Sequence, residues 1–157
     1  MHMGMMLMLL SEPDVPGPEL FPHSDGKQFH GTFFGPGVPI LEAWSRLDLS
    51  ALRYCALDTE GADEAAFGAE QIAQWQAESE LAWQSPAVLI QTLEALLARL
   101  QRAKNRLPLD VCWALDPYDR PWEYYREGHL SRDVESCLAA VRARAAAGAQ
   151  RVRFFAI

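Results

Sequence analysis

From Ser85 to Arg106 the chain reads SPAVLIQTLEALLARLQRAKNR. Leu89, Leu93, Leu96, Leu97 and Leu100 recur at three- and four-residue intervals, which lines them along one stripe of an α-helix. Ser85 followed by Pro86 is a helix start, with a hydroxyl at the cap and proline at the first helical position, where a missing N–H costs nothing. Arg99, Arg102, Lys104 and Arg106 gather where cations complement the carbonyl end of the helix dipole, and Pro108 closes the segment. Such a stripe needs apolar surface to cover it, so the rest of the chain must supply a core.

The sequence has 157 residues, 50% hydrophobic and 22% charged, which suits one globular domain spanning 1–157. Met5–Leu10 reads as a uniformly apolar strand buried on both faces. Residues 11–26, carrying Pro13, Pro16, Gly17, Pro18 and Pro22, read as a connecting loop. The aromatic and β-branched Lys27–Phe34 suggests a strand, and Pro39 opens a short helix, ILEAWSRL. Leu52–Leu57 reads as a strand ending at Asp58. Asp63 caps one helix to about Ser79, weakened by Gly68, that turns Ala66, Phe67, Ile72 and Trp75 inward. Leu109–Leu115 reads as a strand. Ser131 caps a helix to about Ala147 that buries Val134, Cys137, Leu138 and Val141 and stops at Gly148, and Arg151–Ile157 is a last strand. The expected architecture is α/β or α+β: a mixed sheet of about five strands with three to four helices, ending in a strand-helix-strand crossover.

The net charge is −7. Phosphate-backbone binding depends on Lys and Arg displacing counterions, so nucleic acid is not expected as a partner. The charge is uneven: residues 1–84 hold three basic groups, Lys27, Arg46 and Arg53, against thirteen acidic ones, whereas 85–157 hold eleven against eight. Cys55, Cys112 and Cys137 form no Cys-x-x-Cys pair and read as core residues of a reducing compartment. The N-terminal apolar run is too short to span a bilayer and lacks a basic n-region. A cytoplasmic location with no membrane partner is expected.

Tyr54-Cys-Ala-Leu-Asp58 and Val111-Cys-Trp-Ala-Leu-Asp116 both end an apolar run in Ala-Leu-Asp. If both were parallel strands, Asp58, Glu60, Asp116 and Asp119 would gather at their carboxyl ends, where ligands bind in such sheets. With Glu123 or His129 in support, they would suit a small hydrolase or a divalent-metal-dependent enzyme. Aspartate is also an ordinary strand terminator, and Asp116-Pro117 an ordinary turn. The chain contains no nucleophile elbow, P-loop, dinucleotide fingerprint or His-Glu-x-x-His, and His23, His30 and His129 match no zinc spacing. No metal site and no cofactor are assigned.

The segment DPYDRPWEYYREGH, Asp116–His129, is the richest in Trp, Tyr and Arg, the residue types over-represented where interface energy concentrates. Tyr118, Arg120, Trp122, Tyr124, Tyr125 and Arg126 are the candidate partner-binding residues, set against two other readings of the segment, a structural corner with some aromatics turned inward and a small-molecule or catalytic loop. Pro121 and Gly128 bracket a short helix there, in preference to a hairpin strand. The leading expectation is a non-enzymatic acidic protein-binding module, in concrete form an immunity or antitoxin-type protein that occludes a partner with a basic surface. The carboxylate enzyme is the alternative. A third reading is a homo-oligomer pairing through Arg151–Ile157.

Overall fold

The computed structural model describes residues 6–118 and 120–156; the expectations placed on Met5, Asp119 and Ile157 lie outside them. Among the described residues there are eight helices and three strands. They run β1 (Leu7–Glu12), α1 (Lys27–Phe33), α2 (Gly37–Ser45), β2 (Ala56–Leu57), α3 (Glu64–Phe67), α4 (Ala69–Leu81), α5 (Pro86–Arg102), α6 (Leu109–Leu115), α7 (Glu123–Arg126), α8 (His129–Ala146) and β3 (Arg151–Ala156). A sheet of about five strands with three to four helices is thus replaced by a helix-rich fold on a small mixed sheet.

The sheet order is β1-β3-β2. β1 runs antiparallel to β3, from Leu7 opposite Ala156 to Glu12 opposite Arg151, and β2 runs parallel to β3, with Ala56 opposite Phe155. β3 is therefore central: β1 pairs along one edge from Arg151 to Ala156, and Gln84 and β2 take the other at Val152 and at Phe155 and Ala156, so these positions are already bonded within the chain. β1 is not buried on both faces. Leu7, Leu9 and Ser11 point inward while Met6, Met8 and Glu12 are exposed, the alternation of a strand with one covered face. Leu7 and Leu9 join Val152, Phe154 and Ala156 in one core cluster with Leu89, Leu93, Leu96 and Leu100 of α5 and Val134, Cys137, Leu138 and Val141 of α8. The leucine stripe and the last helix are used as their spacing predicts, and Gly148 follows α8 in a left-handed conformation.

Two expected strands are helices. In α1, Phe29 and Phe33 are four residues apart, so a helix turns both toward the core, where their rings lie 4.5 Å apart and Phe21 stacks at 5.0 Å from Phe29. A strand would also have put both on one face, but only the helix lets the Thr32 hydroxyl bond back to the Gln28 carbonyl, at 2.7 Å. In α6, Val111 and Cys112 are buried and Leu115 is half-buried, while Leu109 and Trp113 are exposed. That pattern is helical, whereas a strand would bury alternate residues. Pro108 opens α6, and α5 ends earlier, with Lys104 and Asn105 both in the left-handed region. The expected crossover is lost with its first strand.

Smaller differences have local causes. Only Ala56 and Leu57 of Leu52–Leu57 pair in the sheet, because Ser50–Leu52 is a turn of 3-10 helix. Gly68, at φ 83, divides the helix after Asp63 into α3 and α4 and leaves Ala66 and Phe67 exposed, although Asp63 does cap α3 through Ala65 N–H. Ser131 is not a cap: Gly128, at φ 83, lets α8 begin at His129, and Ser131 is buried in its first turn.

Candidate functional site

The described residues of the segment 116–129 form a corner in which three of the six expected binding residues, Tyr124, Tyr125 and Arg126, are engaged by the protein itself. α7 is the short helix bracketed by Pro121 and Gly128. Tyr124 is buried, and its hydroxyl donates to Asp133 Oδ2 at 2.8 Å. Burial, reinforced by the Asp133 charge, pushes the Tyr124 phenol far up, so it acts only as a donor. Tyr125 is also buried and shares a 2.8 Å hydrogen bond with Thr32 Oγ1. Arg126 donates to the Leu107 carbonyl at 2.8 Å, and Leu107 N–H returns to the Tyr125 carbonyl at 3.0 Å. These three residues fasten α7 to α1, α8 and the turn before α6, with Tyr124 and Tyr125 buried and Arg126 half-buried.

What stays outside is smaller. Tyr118 is 94% exposed. Arg120 lies over the exposed Trp113 ring at 3.9 Å and 5.7 Å from that of Trp122, and the two indoles meet edge to face at 6.4 Å. Trp122, at φ 62, is held in a conformation unusual for a bulky residue, and its indole N–H donates to the Asp116 carbonyl.

The carboxylates expected at strand ends are not so placed. Asp58 follows β2, but Asp116 follows helix α6, so no pair of parallel strands brings them to one crevice. Asp58 accepts from Glu60 N–H at 3.0 Å and Asp116 from Tyr118 N–H at 3.1 Å, both ordinary turn contacts. Glu123 is exposed on α7, and His129 is half-buried at the start of α8. Among the described residues no three His, Cys, Asp or Glu side chains form a group that could hold a metal ion. Cys112 and Cys137 are buried, and burial pushes the half-buried Cys55 thiol up to about 12, which leaves it protonated at neutral pH.

Two features escape the sequence reading. Asp133 is 1% exposed and accepts from Ser24 Oγ at 3.2 Å as well as from Tyr124. Its signal is positional: it lies three residues after Leu130 and four before Cys137, on the apolar stripe of α8. The second is a groove of about 330 Å³ where β2 ends, floored by Leu57, Ala62, Phe67, Trp75 and Ala156 and edged by Asp58 and Glu60. Ser79 builds it. Its hydroxyl accepts from Leu57 N–H at 3.1 Å and donates to the Trp75 carbonyl at 2.9 Å, tying the outer edge of β2 to α4. Phe67 then meets Trp75 edge to face at 5.2 Å.

The groove lies within a one-sided stretch of sequence. Between Arg53 and Arg99 there is no Lys, Arg or His, while Asp58, Glu60, Asp63, Glu64, Glu70, Glu78, Glu80 and Glu94 are all present. A larger cleft of about 670 Å³ runs beside β1, with Met6, Met8 and Phe21 among its lining, but Lys27, Arg144, Glu19 and Asp25 give it both signs of charge. No helix is long and apolar enough to cross a membrane among the described residues. No protein family, curated protein or solved structure matches the chain.

Proposed function

We propose that this chain is an acidic protein-binding module that occludes a basic partner, in the manner of an immunity or antitoxin protein. The observation that carries the reading is the stretch from Tyr54 to Ala98: it has carboxylates and no cation, and it folds into β2, α3, α4 and most of α5 with an apolar groove among its acidic residues. Arg142 pairs with Glu94 at 2.6 Å and Arg153 donates to the Ser79 carbonyl at 3.1 Å, so the uncompensated carboxylates lie toward Asp58, Glu60, Asp63, Glu64 and Glu70. An excess of one sign raises the association rate of an oppositely charged partner, and apolar contacts then slow its departure. The exposed Trp113, Tyr118 and Arg120, beside the half-buried Trp122, offer further aromatic area of the kind found in interfaces.

The test is to recover the partner from the native source and measure association by stopped flow. A basic partner is expected, with an association rate that falls steeply as salt rises and falls again when Asp63, Glu64 and Glu70 become their amides. A partner whose association ignores both salt and these substitutions would overturn the reading.

A further inference from the structure

Four of the five tryptophans have an arginine over the ring. Arg99 lies 4.1 Å from the Trp44 ring, Arg151 and Arg153 each lie 4.4 Å from Trp83, and Arg120 lies 3.9 Å from Trp113 and 5.7 Å from Trp122. Trp75 is different. Among the described residues no cation stands over its ring, and its aromatic neighbour is the exposed Phe67. The sequence from Tyr54 to Ala98 has no cation, Arg153 of β3 reaches α4 at the Ser79 carbonyl and is placed over Trp83 rather than Trp75, and the charged residues lining the groove are Asp58 and Glu60.

We infer that the groove of Leu57, Phe67 and Trp75 takes an arginine side chain of a basic protein partner. The guanidinium lies on the Trp75 face and faces Asp58 and Glu60, while its aliphatic stem covers Leu57 and Phe67. This pairing uses both halves of arginine: the planar cation is drawn to the ring's negative face and to carboxylates, and the methylenes displace water from apolar surface. A neutral side chain of equal shape gains only the second. The stiffness of the site comes from the Ser79 hydroxyl, which fixes β2 against the Trp75 turn, so the groove is formed before anything enters it.

The inference rests on the proposed binding of a basic partner and adds the place and the side chain that docks there. It is tested on the full chain, labelled with ¹⁵N, by titrating N-acetyl-arginine amide at low ionic strength beside the isosteric and uncharged N-acetyl-citrulline amide. The Trp75 indole N–H, assigned by its loss in Trp75→Leu, and the amides of residues 57–62 should shift saturably with arginine and not with citrulline. The indoles of Trp44, Trp83 and Trp113 should stay still. Asp58→Asn with Glu60→Gln should weaken the arginine probe by about threefold, as exposed ion pairs do. Trp75→Leu should weaken it by about two- to fivefold. A Trp75 signal that does not move, or that moves equally with citrulline, overturns the inference even if partner association proves to be charge-steered. Partner association insensitive to charge would overturn the proposed function instead.

Discussion

The corner around α7 and the groove beside α3 are both rich in aromatics, and they differ in where their polar complement comes from. At the corner the protein supplies everything itself: Asp133 for Tyr124, Thr32 for Tyr125, the Leu107 carbonyl for Arg126 and Arg120 for Trp113. At the groove, Asp58 and Glu60 share the lining with Trp75, and among the described residues no cation lies over its ring. The first arrangement closes a core. The second is the groove to which we assign a partner's arginine, and the two regions differ in the source of their polar groups rather than in aromatic composition.

The comparison can be broken most severely at the corner. Asp133→Ala leaves the buried Tyr124 hydroxyl without its acceptor and releases Ser24 from α8, and a loss of about 3 kcal/mol in urea unfolding is expected. A loss below about 1 kcal/mol would mean that the corner is not held as described. Ser79→Ala is the matching change at the groove, where the Leu57 N–H and the Trp75 carbonyl both lose a partner. It should cost about 1.5 kcal/mol and, unlike Asp133→Ala, weaken the arginine probe. Tyr125→Phe removes one neutral hydrogen bond to Thr32, with an expected cost of about 1 kcal/mol and no effect on probe binding. Arg120→Ala should change stability by only about 0.5 kcal/mol because the pair is exposed, yet it vacates the Trp113 ring. The Trp113 indole, silent in the native chain, should then respond to the arginine probe.

The elements legible in the sequence are those with long periods and clear ends. The leucine stripe of α5, the buried face of α8 with Gly148 after it, and the short helix between Pro121 and Gly128 all follow from spacing and caps. α1 and α6 are seven residues each, and over so few positions aromatic and β-branched composition favours a strand while tertiary packing selects a helix. At the corner, composition marked Tyr124, Tyr125 and Arg126 correctly as a dense aromatic and cationic group but could not say which way they point. Their partners, Thr32 and Asp133, come from α1 and α8. The groove depends on Ser79 reaching Leu57 across twenty-two positions, a contact with no local signature.

The central claim is that Trp75 lacks a cation the protein could have supplied. Gln71 precedes Trp75 by four residues on α4, the spacing at which helical side chains meet, so Gln71→Arg would furnish one internally. The measurement is the ¹⁵N spectrum of this variant titrated with N-acetyl-arginine amide beside the native chain. The account predicts a saturable shift of the Trp75 indole in the native protein and none in the variant, with the other indoles unchanged in both. An equal response of the Trp75 indole in the two proteins, with the new arginine seated on its ring, would contradict it.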